Sequence, residues 1–228
     1  MLQADAYFFD IDGTLLITRD LVHWNALHQG MLEVYGIDTN IEGLSYHGKT
    51  DIAILRAALK RCGISDEVFE AGRKTLLSVV CREVALHKAE FKVDVCPGIP
   101  EVLAQILDGG RLLGVASGNL ESVGWKKVSA ARLRTFFLVG SFGDRFELRT
   151  AIFDYAVRAA QKLMGTSASV CFVGDTPDDI LAARSVGARI ISVSTGTFRF
   201  EDLACLNPEV CCRSCAELLV FPVPAKAA

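Results

Sequence analysis

Short unbroken apolar runs, each halted by a polar or glycine turn, recur along this chain and leave it few ways to fold. Ala6-Tyr7-Phe8-Phe9 stops at Asp10, and Leu112-Leu113-Gly114-Val115-Ala116 stops at Ser117. Val170-Cys171-Phe172-Val173 stops at Gly174-Asp175, Ile190-Ile191-Ser192-Val193 makes another run, and residues 136–139 read as a further one. A strand covered by helices on both faces has this continuous apolar pattern, which is how buried parallel strands read. Most of the runs lead into segments of helical period. Strands alternating with helices predict an α/β fold with a doubly wound, Rossmann-like parallel sheet.

One stretch breaks the rhythm. Between Phe9 and Leu112 no run reads as a strand, while residues 20–35, 49–62 and 66–90 place apolar side chains three and four positions apart, as in Ile52, Leu55, Ala58 and Leu59. That is too much chain for one crossover helix. The expectation is a helical cap of residues 16–93 inserted after the first strand of a core made from residues 1–15 and 94–228. Cys96-Pro97-Gly98 marks the return, and residues 222–228 read as a tail.

Composition limits the partners. The 228 residues carry 24 Lys+Arg against 27 Asp+Glu, a net charge of −3, with 51% apolar residues. That balance excludes a disordered chain and a polybasic nucleic-acid arm. No apolar run approaches the ~18 residues of a membrane span, and the segment up to Tyr7 lacks the basic and apolar regions of a secretory signal. A cytoplasmic protein is expected, with no nucleic-acid or membrane partner; its oligomeric state is not legible.

In an open parallel sheet, ligands bind outside the carboxyl ends of the strands, so the residues after each run carry the chemistry. Those residues are Asp10-Ile11-Asp12-Gly13-Thr14, then Ser117-Gly118-Asn119, then Gly174-Asp175-Thr176-Pro177-Asp178-Asp179. If the strands are neighbours, several carboxylates meet at one edge, where like charges raise one another's pKa unless a cation intervenes. An oxygen-only ligand set favours a hard ion, Mg²⁺. Such an ion keeps open positions for a phosphate. Thr14 and Ser117 offer hydroxyls, Gly13, Gly118 and Asn119 offer backbone N–H groups, and Arg149 at a helix start offers a fixed charge. Ser117 reads as a helix start as well, a ready anion site. The parts are those of phosphoryl transfer.

Asp10-Ile11-Asp12-Gly13-Thr14, Ser117, Arg149, and Gly174-Asp175 with Asp179 resemble the four ordered motifs of the haloacid dehalogenase superfamily, and the insertion between the first two is similar to its helical cap. The resemblance implies a phosphatase acting on a small phosphorylated metabolite. It implies that Asp10 attacks phosphorus and that Asp12 serves as general acid, then base. It further implies that Thr14 and Ser117 hold phosphate oxygens and that Arg149 screens the charge. Mg²⁺ is then held by Asp10, Asp175 and the Asp12 carbonyl, with Asp179 orienting the outer ligands. An acid at position 12 argues for a phosphate ester, because an alkoxide leaving group needs a proton. In the cap, residues 43–51 resemble a loop of the phosphoglycolate phosphatase-like branch, and Lys49 is placed to reach an anionic group beyond the phosphate, with Tyr46 and His47 at the entrance and Gly48 as a hinge.

Plainer readings stand beside these. Asp10 and Asp12 are also turn residues, Ser117 is also an N-cap, and Asp178 suits a helix dipole and is left out of the site. Arg145 competes with Arg149. Lys126 and Lys127 read as solvated or structural, and His23, His28 and His87 as surface or packed imidazoles. Cys62, Cys81, Cys96 and Cys171 read as buried thiols. Cys205, Cys211, Cys212 and Cys215 number enough for zinc, but adjacent cysteines on a strand face opposite ways, so core packing is the simpler reading. A phosphomutase of the same architecture and a non-catalytic phospho-ligand-binding protein remain as alternatives.

Overall fold

A computed structural model describes residues 2–220, and the expected tail at 222–228 lies outside them. In chain order the elements begin β1 (Ala6–Phe9), β2 (Leu16–Thr18), α1 (Val22–Tyr35), α2 (Asp51–Arg61), α3 (Asp66–Leu86) and β3 (Val93–Val95). The chain continues through α4 (Ile99–Asp108), β4 (Leu112–Ser117), α5 (Glu121–Ala130), β5 (Val139–Phe142) and α6 (Arg149–Met164). It ends with β6 (Val170–Gly174), α7 (Pro177–Ser185), β7 (Arg189–Val193), α8 (Phe200–Ala204) and β8 (Val210–Cys212).

Six strands form one sheet in the order β5-β4-β1-β6-β7-β8, with every neighbouring pair parallel. The strand made first therefore lies between β4 and β6. Successive side chains of a strand face opposite ways. Tyr7 and Phe9 accordingly join Leu113, Val115, Cys171 and Val173 under α4, while Ala6 and Phe8 join Phe172 under α6 and α7. Phe153 of α6 stacks on Phe172 at 3.8 Å between ring centroids. Each such fully buried side chain contributes about 1.5–3 kcal/mol.

A separate apolar cluster is built from α1, α2 and α3, with Leu120 and Val123 of the α5 region closing it. Thr50 and Ser65 cap α2 and α3 by accepting from Ala53 N and Val68 N. The span between the first two sheet strands is not free of strands, however. β2 and β3 pair antiparallel at its two ends, Leu16 opposite Val95. Three residues each, they are too short to leave a periodic signal.

Two further expectations shift. The run at 136–139 becomes a strand only from Val139, because Arg134–Phe136 turn as a short 3₁₀ helix. The Arg134 guanidinium lies 3.9 Å from the Trp125 ring centroid and donates to Phe137 O, which fixes that turn. All eight cysteines are free thiols, but Cys62 and Cys205 are exposed and Cys81 half-buried. The adjacent pair separates as strand geometry requires, with Cys212 in one core layer and Cys211 against the other. Among the described residues no helix is long and apolar enough to cross a membrane.

Candidate active site

The parallel register brings the ends of β1, β4 and β6 to one edge. Asp10 N–H donates to Val173 O at 2.9 Å, which continues the β1–β6 ladder one residue beyond the strand. Asp10, Asp175 and Asp179 are all buried, and one carboxylate oxygen from each lies within 4.8 Å of the others. Gly13 has φ +85°, and a Cβ built on it meets the Asp175 carboxylate at 2.3 Å. A Cβ on Gly196 meets the same carboxylate at 1.8 Å. Two bare backbones thus make the cradle in which Asp175 sits, and Thr14 Oγ1 donates to its Oδ1 at 3.1 Å.

The electrostatics of this cluster call for positive charge. Burial pushes Asp10 up to about 6, with Asp179 adding to the rise, against the pull of Arg149 and hydrogen bonds from Ser117 and Ile11 N–H. Burial and then the charges of Asp10 and Asp179 hold Asp175 well above the carboxylate range. Asp10 Oδ1 is buried with no hydrogen-bond donor. An orphaned acceptor beside a cradled carboxylate, in a cluster that resists ionising, fits a hard divalent cation.

Asp179 plays another part. Its Oδ2 accepts from Thr176 N (3.0 Å) and Thr176 Oγ1 (2.6 Å), and its Oδ1 takes Arg149 Nε (2.7 Å). With both oxygens engaged it anchors Arg149, whose Nη2 lies 2.8 Å from Asp10 Oδ2. Arg145 is exposed near Tyr155 and Glu121, so the basic group beside Asp10 is Arg149.

Asp12 faces the other way. Its carboxylate takes Lys127 Nζ at 2.7 Å, Asn119 Nδ2 at 2.9 Å and Thr18 Oγ1 at 3.0 Å. Burial works to raise this carboxyl, but the Lys127 charge and the hydrogen bonds from Lys127 and Asn119 outweigh it and bring it down to about 2. Asn119 also donates to Ser117 Oγ and accepts from Lys127, tying the three together. Lys127 is therefore not solvated: it is 3% exposed, and it lines the cavity while holding Asp12. Its helical spacing from Val123 and Gly124, on the buried face of α5, was the available signal. Ser117 is the last residue of β4, and Leu120, not Ser117, precedes α5, so the N-cap reading does not hold.

The loop before α2 docks on this edge. Asp51 N–H donates to Gly118 O, Leu120 N–H to Asp51 Oδ2, Thr50 Oγ1 to Glu147 O, and Arg149 Nη1 to Gly48 O. Lys49 Nζ pairs with Asp178 Oδ2 at 2.6 Å, which gives Asp178 a place that sequence reasoning withheld. His23 is packed, its Nε2 3.1 Å from Asp51 Oδ2, whereas His28 and His87 pair with carboxylates at the surface. Between the helical cluster and the sheet edge lies a cavity of about 580 Å³, lined by Asp10, Asp12, Ser117, Lys127, Arg149 and Asp175 among others.

Residues 7–193 match the family described as haloacid dehalogenase-like hydrolase. The chain belongs to that family. It is 30% identical over 214 residues to N-acetylmuramic acid 6-phosphate phosphatase of Pseudomonas putida, covering 88% of this chain and 87% of the relative. It is 28% identical to phosphoglycolate phosphatase of Agrobacterium fabrum, over 89% and 85%. The fold matches the crystal structure of CbbY from Rhodobacter sphaeroides in complex with phosphate, with TM-score 0.70, 20% identity and 95% and 96% of the two chains covered. Its curated relatives are phosphatases of this family, and the chain is an enzyme of that class, a phosphoric monoester hydrolase.

Proposed function

We propose that this protein is a Mg²⁺-dependent phosphatase that hydrolyses a small phosphate monoester through a phosphorylated Asp10. The single observation carrying this reading is a buried Asp10 with one oxygen free of hydrogen bonds and the other held by Arg149. Asp10 and Asp175, with the Asp12 carbonyl, are the groups that would hold Mg²⁺, which when bound supplies charge neutralisation for nucleophile and phosphate. Arg149 keeps the Asp10 carboxylate oriented for attack on phosphorus. The ester brings in the proton that Asp12 passes to the leaving oxygen. In the second half-reaction Asp12 takes a proton from water as that water attacks the acyl phosphate and restores Asp10. Ser117 borders the phosphate position, Thr14 lies behind it holding Asp175, and the docked loop with Lys49 completes the enclosure.

The helices between β2 and β3 act in this reading as a cap that opens to admit substrate and shuts to exclude water. The free thiols fit a reducing compartment such as the cytoplasm. The names of the curated relatives favour water over a sugar as the phosphoryl acceptor. An aryl phosphate assay tests the proposal: turnover is expected with Mg²⁺, none after chelation, and recovery on adding Mg²⁺ back. Absence of turnover in excess Mg²⁺ would overturn it.

Lys127→Met is expected to lower kcat by roughly 10²-fold, since Asp12 loses the charge that keeps it ionised for the second half-reaction. Stopped-flow phosphate release reads this directly. A variant with wild-type kinetics would remove Lys127 from the mechanism.

Metal removal has a definite sign. Asp10 sits at about 6 in the fold against an ordinary 3.8, so between those values the folded state holds a proton that the unfolded chain has released. Stability of the metal-free protein should therefore fall as pH rises through this window. Saturating Mg²⁺ at pH 7.5 is expected to raise Tm by roughly 5–10 °C, and by clearly less at pH 5. Differential scanning fluorimetry at the two pH values checks it.

A further inference from the structure

The cavity is divided chemically. At the sheet edge it is charged, and toward the helices it is lined by Trp24, Leu27, Ile41, Tyr46 and Ile54. Trp24 and Tyr46 meet edge to face at 6.0 Å between centroids, forming an aromatic corner. Each cation bordering the cavity already faces a carboxylate: Arg19 pairs with Asp94, Lys49 with Asp178, Lys127 with Asp12, and Arg149 with Asp10 and Asp179. His47 adds no dependable charge, because burial lowers its pKa. Asp20 and Asp51 add negative charge on the same side. A second anionic group would thus meet cations already paired and two further carboxylates, Asp20 and Asp51, that themselves accept backbone N–H bonds. What this end does offer is apolar ring surface beside hydrogen-bonding side chains: the Tyr46 hydroxyl, and the Thr18 hydroxyl and His23 imidazole that also contact Asp12 and Asp51.

Resting on the phosphatase reading above, we infer that the alcohol released is an uncharged, hydroxyl-bearing ring of sugar-like chemistry, seated on Trp24 and Tyr46. A pyranose has the two matching surfaces, an apolar C–H face for the indole and a hydroxyl edge for the polar groups. The space agrees. Ligand pockets for molecules of that scale run to roughly 300–1,000 Å³, and a two-carbon acid phosphate would leave much of about 580 Å³ unfilled. Lys49, held by Asp178, is then part of the wall that closes on the phosphate, not a receptor for a carboxylate.

The test is a panel of kcat/KM values with Mg²⁺: an aryl phosphate, glucose 6-phosphate, 2-phosphoglycolate, glucose 1,6-bisphosphate and N-acetylmuramic acid 6-phosphate, whose ring bears a carboxylate. Glucose 6-phosphate is expected to exceed each of the three substrates with a second anionic group by at least roughly tenfold. Trp24→Ala is expected to raise its KM about tenfold or more with kcat little changed, and Trp24→Phe to restore most of the loss. Aryl phosphate turnover with 2-phosphoglycolate, the bisphosphate or the carboxylated sugar preferred overturns this inference and leaves the phosphatase reading intact. Failure of every ester, the aryl phosphate included, overturns both. The wild-type panel decides the matter even if the Trp24 variants do not fold.

Discussion

Asp10→Asn is expected to cut kcat on an aryl phosphate by roughly 10⁴-fold or more while the protein stays folded. The amide keeps the shape of the carboxylate but cannot form the acyl phosphate, so the loss belongs to chemistry and not to binding. Stability should behave unlike that of most buried-charge substitutions. Asp10 lies beside Asp175 and Asp179, so a neutral amide relieves repulsion even as Arg149 loses one partner. The metal-free variant is therefore expected to melt within a few degrees of the wild type at pH 7.5, and to show a smaller Tm gain with Mg²⁺. Circular dichroism melts beside single-turnover assays separate the two effects. Wild-type turnover in this variant would sink the assignment of the nucleophile.

Arg149→Met should be the most damaging substitution for the fold. Arg149 is 8% exposed, and its guanidinium touches Asp10, Asp179 and the Gly48 carbonyl. Removing it leaves two buried carboxylates facing each other without compensation, which costs about 3–5 kcal/mol. For a chain of this size that is a drop in Tm of roughly 6–20 °C. The deficit should narrow as pH falls toward about 6, because without the pull of Arg149 Asp10 takes up its proton at higher pH than in the wild type. Arg149→Lys should recover only part, because an ammonium cannot fork between two carboxylates. Equal melting temperatures for Arg149→Met and wild type at pH 7.5 would show that the bridge contributes nothing.

Much of this arrangement was readable before any coordinates. The apolar runs ending at Asp10, Ser117 and Asp175 were visible because a strand buried on both faces has no polar interruption, and the turn after it is where ligand chemistry gathers. Arg149 could be preferred over Arg145 because it opens a helix whose apolar residues keep their period. Lys127 is hard to read from sequence because a lysine on a helix is ordinarily solvated. Only its place between Val123, Gly124 and Val128 gave it away. The partition of the two acidic residues was illegible. Asp12 turns toward Lys127 and Asn119, and Asp179 gives one oxygen to Arg149, neither with a local sequence cause; only the bond of Asp179 back to Thr176, a capping box, has one. The β2–β3 ribbon escaped notice because three-residue strands carry no detectable alternation. The pairing of Lys49 with Asp178 joins residues far apart in the chain, and no short-range pattern encodes such a contact.

The central place of β1 in the sheet also bears on how the chain must be made. Its partners are Leu112–Ser117 on one side and Val170–Gly174 on the other. At ~5–20 residues per second, translation leaves Ala6–Phe9 waiting roughly 5–20 s for the first of them and longer for the second. The helices encoded in between can pack locally during that interval, whereas this fully buried strand cannot. Synthesis thus exposes a strand edge of two phenylalanines and a tyrosine until the last third of the chain appears, so nascent chains stopped before β6 should be held by chaperones or lost to aggregation.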